Sequence, residues 1–511
     1  MKKTLLLLFT ITFFAAQLLV AQTSSLTVKT WISEELKTNT KPESRIFLFI
    51  AESSGREPRL SSSPGGSTQI FATNIENWKA GEVFTFSSSA DLSQSKTISL
   101  DEIPDGNYRL QVLWDQNREA SHINAAGNLY SQVMRIKLSG NLDVELQLEN
   151  SIPPQELAKH KLLKEVNIKS EILTEWWGKE MRLKAAVLLP PAFHDEPEKH
   201  FPVRYSIAGY GGRYTRANRF VEWDTNFMDW WHSDESPEVI NVFLDGESPF
   251  GDCYQLDSEN SGPYGAALTE ELIPYIENKY RALGTPKNRF LDGCSTGGWV
   301  SLALQLFYPN FFGGCFSYSP DQVDFENCQL INIYRDENAF YNEHGYLRPI
   351  MRDVTGEPVV SQKAFIQHEN TLGGNNTYTT SGGQFGAFTA LFSPRGKDGL
   401  PVPLFDPQTG EIDHEVAEHW RKYDLKHYVD TNWETLGPKI QGKIWVWMGD
   451  MDNFYLNPAL RAFDEMLKSK NNPKSDAVIN FTPMAGHCSE YSHIKVLNQI
   501  KEKLEKQKTG N

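Results

Sequence analysis

The stretch NRFLDGCSTGGWVSLALQLF (288–307) limits the fold more than any other part of the chain. An apolar run ends in Gly293-Cys294-Ser295-Thr296-Gly297-Gly298, and an apolar helical run follows at once. This is the G-x-S-x-G pattern of a tight strand-to-helix turn. Small flanking residues let strand and helix approach, and the central serine is held in strained backbone with its hydroxyl projecting. The Thr296 N–H is then placed to face a developing oxyanion. Such a turn belongs to a parallel sheet with crossover helices.

The flanking sequence has that rhythm. Apolar runs at 183–193, 201–212, 238–248, 312–320, 442–452 and 477–487 read as strands, and 269–280 reads as an amphipathic helix. Buried strands alternating with helices predict an α/β domain over 153–511, with a mostly parallel, doubly wound sheet and sites at the carboxyl ends of its strands. Residues 323–440 break the alternation and are rich in Gly, Asn and Tyr, which predicts a lid insertion without regular elements. Ahead of Pro153-Pro154, short β-type runs at 44–52, 81–89, 107–116, 131–140 and 142–150 predict an all-β sandwich over 22–152, with no catalytic constellation in it.

Residues 1–21 begin Met-Lys-Lys, continue without charge from Leu5 to Ala21, and end on a small residue, the pattern of a bacterial signal peptide. The alternative is an uncleaved anchor, because 4–21 is just long enough to span a membrane. Cleavage would remove two lysines and no acid, taking the net charge from −15 to −17. The expected location is therefore periplasmic or secreted. A charge of that sign argues against nucleic acid or anionic lipid as partners, since both require a basic surface.

A serine hydroxyl needs a base to take its proton. His487, in PMAGHCSEYSH at the end of the last strand, is the candidate among 12 histidines. His493 follows in the terminal helix, His122 lies in the β-rich domain, and His344 and His368 fall in the insertion, where they could at most line a pocket. The acid orienting the base should end the preceding strand, in WMGDMDNFY. Asp452 is preferred because it sits in the loop beyond the strand. Asp450 is the alternative, and strand alternation does not separate them. A second oxyanion N–H is expected from Tyr210 or Gly211, in AGYGG (208–212).

Five cysteines are present: Cys253, Cys294, Cys315, Cys328 and Cys488. Cys294 precedes Ser295 and Cys488 follows His487, so an assembled Ser–His pair would bring these two thiols near disulfide distance. Two buried thiols are the alternative, and spacing alone does not decide whether Cys315 and Cys328 pair. The segment DHEVAEHW (413–420) approaches the H-E-x-x-H zinc motif, but His414 and His419 are five apart and diverge around a helix. No metal or cofactor is implied.

The segments AAVLLPPAF, FPVRYSIAGYGG, DGCSTGGW, MGDMDNFYLNP and AGHC resemble the Putative esterase family of α/β-hydrolases, whose relatives include esterase D-like enzymes, siderophore esterases and feruloyl-esterase modules. The resemblance runs from about Val166 to the C-terminus. It implies a Ser295–Asp452–His487 triad. The flanking Cys294 and Cys488 resemble the pattern in tannases and fungal feruloyl esterases, where such cysteines form a disulfide. The family commonly has His-Gly where this chain has Ala208-Gly209.

These readings predict an exported serine carboxylic ester hydrolase acting on acyl or feruloyl esters of polysaccharides. Two alternatives are a siderophore esterase, whose cationic pocket fits an acidic chain less well, and a non-catalytic glycan-binding module on a hydrolase scaffold.

Overall fold

A computed structural model describes residues 25–36, 43–52 and 54–509. The expected signal segment 1–21 lies outside the described residues.

The first domain holds β1 (Leu26–Ile32), β2 (Ser44–Glu52), β3 (Gln69–Ile75), β4 (Phe84–Phe86) and β5 (Ser93–Gln94). It continues through β6 (Gly106–Asp115), β7 (Leu129–Ser131), β8 (Met134–Leu138) and β9 (Leu142–Ser151). Their ladder runs β4-β1-β9-β7-β6-β2-β3-β5, with β8 added on β6. The expected sandwich is thus one continuous sheet curled on itself. Val28 and Ile32 of β1 meet Ile46, Leu48 and Ile50 of β2 in one core, although four pairings separate the two strands. β1 and β3 are absent from the runs singled out in the sequence. β2 has no alternation because it is buried on both faces. Its even positions enter this core, while Phe47 and Phe49 join Ile70, Leu113 and Ile123 in a second cluster that packs against Leu372 of the other domain.

The second domain is built on β10 (Leu163–Ser170), β11 (Met181–Leu188), β12 (Val203–Ile207), β13 (Ile240–Leu244), β14 (Arg289–Ser295), β15 (Gly314–Pro320), β16 (Ile444–Gly449) and β17 (Val478–Thr482). The order is β10-β11-β13-β12-β14-β15-β16-β17. β10 and β11 are antiparallel to their neighbours, and every pairing from β13 to β17 is parallel. Helix α1 (Thr296–Phe307) leaves β14 directly and packs on β14 and β15.

The expectation of an irregular lid over 323–440 is corrected. The segment contains a hairpin of Pro349–Arg352 with Pro358–Ser361, helices α2 (Gln362–Leu372) and α3 (Gln384–Phe392), and α4 (Leu425–Ile440). α4 packs on α1 and leads into β16, so it belongs to the main fold. α3 hides in the sequence because every residue from Phe385 to Phe392 is buried, which leaves no polar face to mark a helical period. α2 is started by Ser361, whose hydroxyl accepts the Ala364 N–H. Ile366, Phe385, Phe388 and Phe405 join the same core as the parallel sheet.

The first domain is bonded to this insertion. The Arg45 guanidinium donates twice to the Thr371 carbonyl at 3.1 and 3.0 Å, and Gln367 donates to the Gln94 carbonyl at 3.2 Å.

Candidate active site

Strand order brings the candidate residues together. β14 ends at Ser295, β15 runs into Asp321, β16 into Asp452, and β17 into His487, all at one edge of the sheet. Ser295 has φ 60° and ψ −128°, a strained turn conformation imposed by the abrupt change from strand to helix. The glycines are required by close approach. A Cβ on Gly293 would lie 2.4 Å from the Gly297 carbonyl carbon, and one on Gly297 would lie 2.3 Å from the Ile207 carbonyl oxygen.

Asp452 is fully buried, and its Oδ2 lies 2.6 Å from His487 Nδ1. Its Oδ1 accepts the Phe454 N–H at 2.9 Å and the Leu456 N–H at 3.4 Å. The Asn453 amide oxygen accepts the His487 backbone N–H at 2.9 Å, and Arg352 donates to the Asp452 carbonyl at 2.9 Å. The imidazole is therefore held by its Nδ1 edge and by its backbone, with the Phe454 ring 4.9 Å away at 80°. His487 Nε2 is buried with no protein partner among the described residues. Asp450 points elsewhere and is ion-paired with Arg461 on a partly exposed surface.

Ser295 and His487 line one pocket of about 980 Å³. The Ser295 hydroxyl lies 3.5 Å from Asp321 Oδ1, at the outer limit of a hydrogen bond. Asp321 is a residue the sequence reading overlooks. Its Oδ2 accepts from the Thr296 hydroxyl at 3.0 Å, the Tyr254 hydroxyl at 3.0 Å and the Gln384 amide at 3.4 Å. Burial pushes its carboxyl up to about 6. The only sequence signal is its place just beyond Pro320, on the strand beside the nucleophile strand.

The 208–212 loop reaches the same edge. Gly209 lies against the elbow: a Cβ there would be 3.4 Å from the Cys294 carbonyl and 3.7 Å from Ser295 Cβ. The Gly212 N–H bonds to the Gly209 carbonyl at 3.0 Å and Gly211 has φ 73°, so Tyr210 and Gly211 are the central pair of a turn that needs glycine at its third position. The Tyr210 hydroxyl donates to the Gly382 carbonyl, tying the loop to the insertion.

Cys294 and Cys488, 194 positions apart in sequence, form a disulfide with Cα atoms 6.0 Å apart. Cys253, Cys315 and Cys328 are buried free thiols. The bridge ties the elbow to the loop carrying His487. Closing a loop of that length restricts the unfolded chain by about 5 kcal/mol in the chain-entropy treatment. Cys294→Ser is expected to melt well below the oxidised wild type, and reductant should shift the wild type alone. Equal melting temperatures with and without the bridge would contradict this.

Of the other histidines, His122 and His368 line the pocket from the β domain and the insertion. Burial lowers His368 to about 4. His493 also lines the pocket, its Nδ1 2.9 Å from Arg204, which also forms a fully buried pair with Asp292 at 2.6 Å. Burial and the Arg204 charge hold His493 far below the usual histidine range, so it is neutral. Among the described residues, no three His, Cys, Asp or Glu side chains are grouped as a metal site.

An eight-stranded sheet of this order, parallel beyond its first two strands and carrying a serine elbow, defines an α/β-hydrolase. The profile of the family described as "Putative esterase" matches residues 178–493, more than half of the chain. The chain belongs to that family, and is a carboxylic ester hydrolase. Similar solved structures include a ferulic acid esterase (16% identity, 67% of this chain and 98% of that one, TM-score 0.42). Others are FphF, a fluorophosphonate-binding serine hydrolase of Staphylococcus aureus (12%, 67% and 98%, 0.39), and an S-formylglutathione hydrolase of Agrobacterium tumefaciens (14%, 68% and 96%, 0.36). No curated protein matches the chain.

Proposed function

We propose that the protein is an exported serine esterase in which Ser295 is the nucleophile, His487 the general base and Asp452 the group that orients it. The observation that carries this reading is the Asp452–His487 contact at 2.6 Å, with the other imidazole nitrogen left unpartnered on the pocket wall shared with Ser295. Nε2 takes the hydroxyl proton as Oγ attacks the ester carbonyl. The N–H of Thr296 and one from Tyr210 or Gly211 stabilise the oxyanion. The protonated imidazole returns its proton to the departing alcohol, leaving the acyl group on Ser295. Water, deprotonated by the same nitrogen, then releases the acid.

The pocket's chemistry supports an aromatic acyl group. Phe365, Phe385, Phe388 and Phe454 line it together with Ile350 and Met351. Each of its three arginines already has protein partners, Arg219 pairing with Asp224 at 3.6 Å. Arg216 donates to the carbonyls of Ser206 and Leu244 at 2.6 and 2.8 Å, and Arg59 bonds Glu57 and Asn124 at 2.9 and 2.7 Å. That arrangement suits a neutral ester better than a polyanionic iron complex. The two lysines at the start and the uncharged run from Leu5 to Ala21 support export, and so does the disulfide, which persists in an oxidising compartment. Feruloyl esters of polysaccharides are the substrates that join these properties.

The purified protein is expected to hydrolyse methyl ferulate with kcat/KM about 100-fold above methyl acetate, the discrimination an apolar pocket gives. Hydrolysis of short acyl esters with methyl ferulate left intact would sink the feruloyl reading, while a tris-catecholate iron complex as the only substrate would favour the siderophore alternative.

A further inference from the structure

The two halves of the pocket come from different domains. Its apolar floor is formed by the insertion and the hydrolase sheet. Its other wall comes from the β domain, where Arg59, Ser62, Ser63, His122 and Asn124 carry hydrogen-bonding groups and Leu60, Pro64 and Ile123 lie among them. No sequence motif marks these residues, because two turns of the first domain bring them to a site 170 or more residues away.

This wall is fixed in place. A Cβ on Gly65 would lie 2.4 Å from Val360 Cγ2 in the insertion hairpin, and one on Gly382 would lie 2.3 Å from the Ser121 carbonyl. The Ser121 N–H and hydroxyl both bond Glu247 at 3.0 and 3.1 Å, and Glu247 in turn pairs with Arg213. Arg59 is held on three sides: it bonds Glu57, bonds Asn124, and stacks 4.1 Å over the Tyr130 ring. Asn124 returns a bond to the Arg59 carbonyl at 3.2 Å. A guanidinium and an amide held this way offer directional hydrogen bonds with little side-chain entropy left to lose on binding.

An ester with one apolar and one polar end has a single sensible orientation here. The acyl group seeks the phenylalanine floor, and the alcohol is left to the polar wall. We propose that the β-domain segments 59–63 and 122–124 form the subsite for the alcohol half of the ester, and that this half is a polyhydroxylated sugar. The proposal rests on the esterase reading above. The β domain is thereby part of the substrate site, a role for which its own sequence carries no constellation.

The test compares kcat/KM for a feruloylated pentose disaccharide with that for methyl ferulate, which shares the acyl group and lacks the sugar. In the full-length protein, Arg59→Ala removes a donor to the sugar, and Ser62→Trp fills the wall without touching the Arg59 bonds. Each is expected to lower the sugar-ester to methyl-ester ratio by about 10-fold, mainly through KM: Arg59→Ala by losing one hydrogen bond to a charged group, and Ser62→Trp by filling the space the sugar needs. A ratio unchanged in both variants, or both esters falling together, overturns the subsite. A wild type inactive on both esters overturns the esterase reading and this proposal with it.

Discussion

Ser295→Ala is expected to lower kcat on methyl ferulate by about 10⁵- to 10⁶-fold, the scale on which serine hydrolases respond to loss of their nucleophile. With Oγ gone, His487 has no hydroxyl to deprotonate and no acyl-enzyme can form. The residual rate would be that of water attacking an ester held near the oxyanion donors. The folded state is hardly touched, because the Ser295 hydroxyl makes one marginal contact, to Asp321 at 3.5 Å, and alanine keeps the Cβ. Thermal melting should therefore match the wild type while progress curves go flat. A variant that melts normally and still turns over would remove Ser295 from the mechanism.

Asp452→Asn is expected to lower kcat by about 10⁴-fold, with melting little changed. The reason lies in which atom faces the imidazole. Asp452 Oδ1 accepts the N–H groups of Phe454 and Leu456, so an asparagine would keep its oxygen there and turn its NH₂ toward His487 Nδ1. Nδ1 would then have to accept, placing the ring proton on Nε2, the nitrogen that must receive the serine proton. Asp450→Asn removes only a surface ion pair with Arg461, for which a change in kcat within about 3-fold and a stability loss below about 1 kcal/mol are expected. Pre-steady-state acylation rates for the two variants would separate them. A severe loss in Asp450→Asn with an intact Asp452→Asn would reverse the assignment.

The pair also shows where the sequence stops being informative. Both aspartates follow the same strand at even spacing, so alternation treats them alike. What distinguishes them is Arg461, eleven residues on, and two backbone N–H groups in the loop. The elbow was legible because its glycines are a steric requirement: the strand, the helix and the β12 carbonyls meet where a single Cβ would collide. The cysteine pair was legible because it flanks two residues that must meet. β2 reads as a strand but not as one buried on both faces, since its second partner is an insertion more than 300 residues away. α3 has no polar face, and the glycines and asparagines before it mimic a loop. Asp321 and the β-domain wall of the pocket carry no local pattern at all, because only the strand order and the docking of two domains place them beside Ser295.

The central claim, that Ser295 is a nucleophile activated by His487, is tested most directly by locating the adduct of a phosphonate probe by mass spectrometry. The account predicts one adduct per chain, on the peptide containing Ser295, lost in Ser295→Ala and slowed severely in His487→Ala. An adduct on any other residue, or labelling at the wild-type rate in His487→Ala, would contradict it.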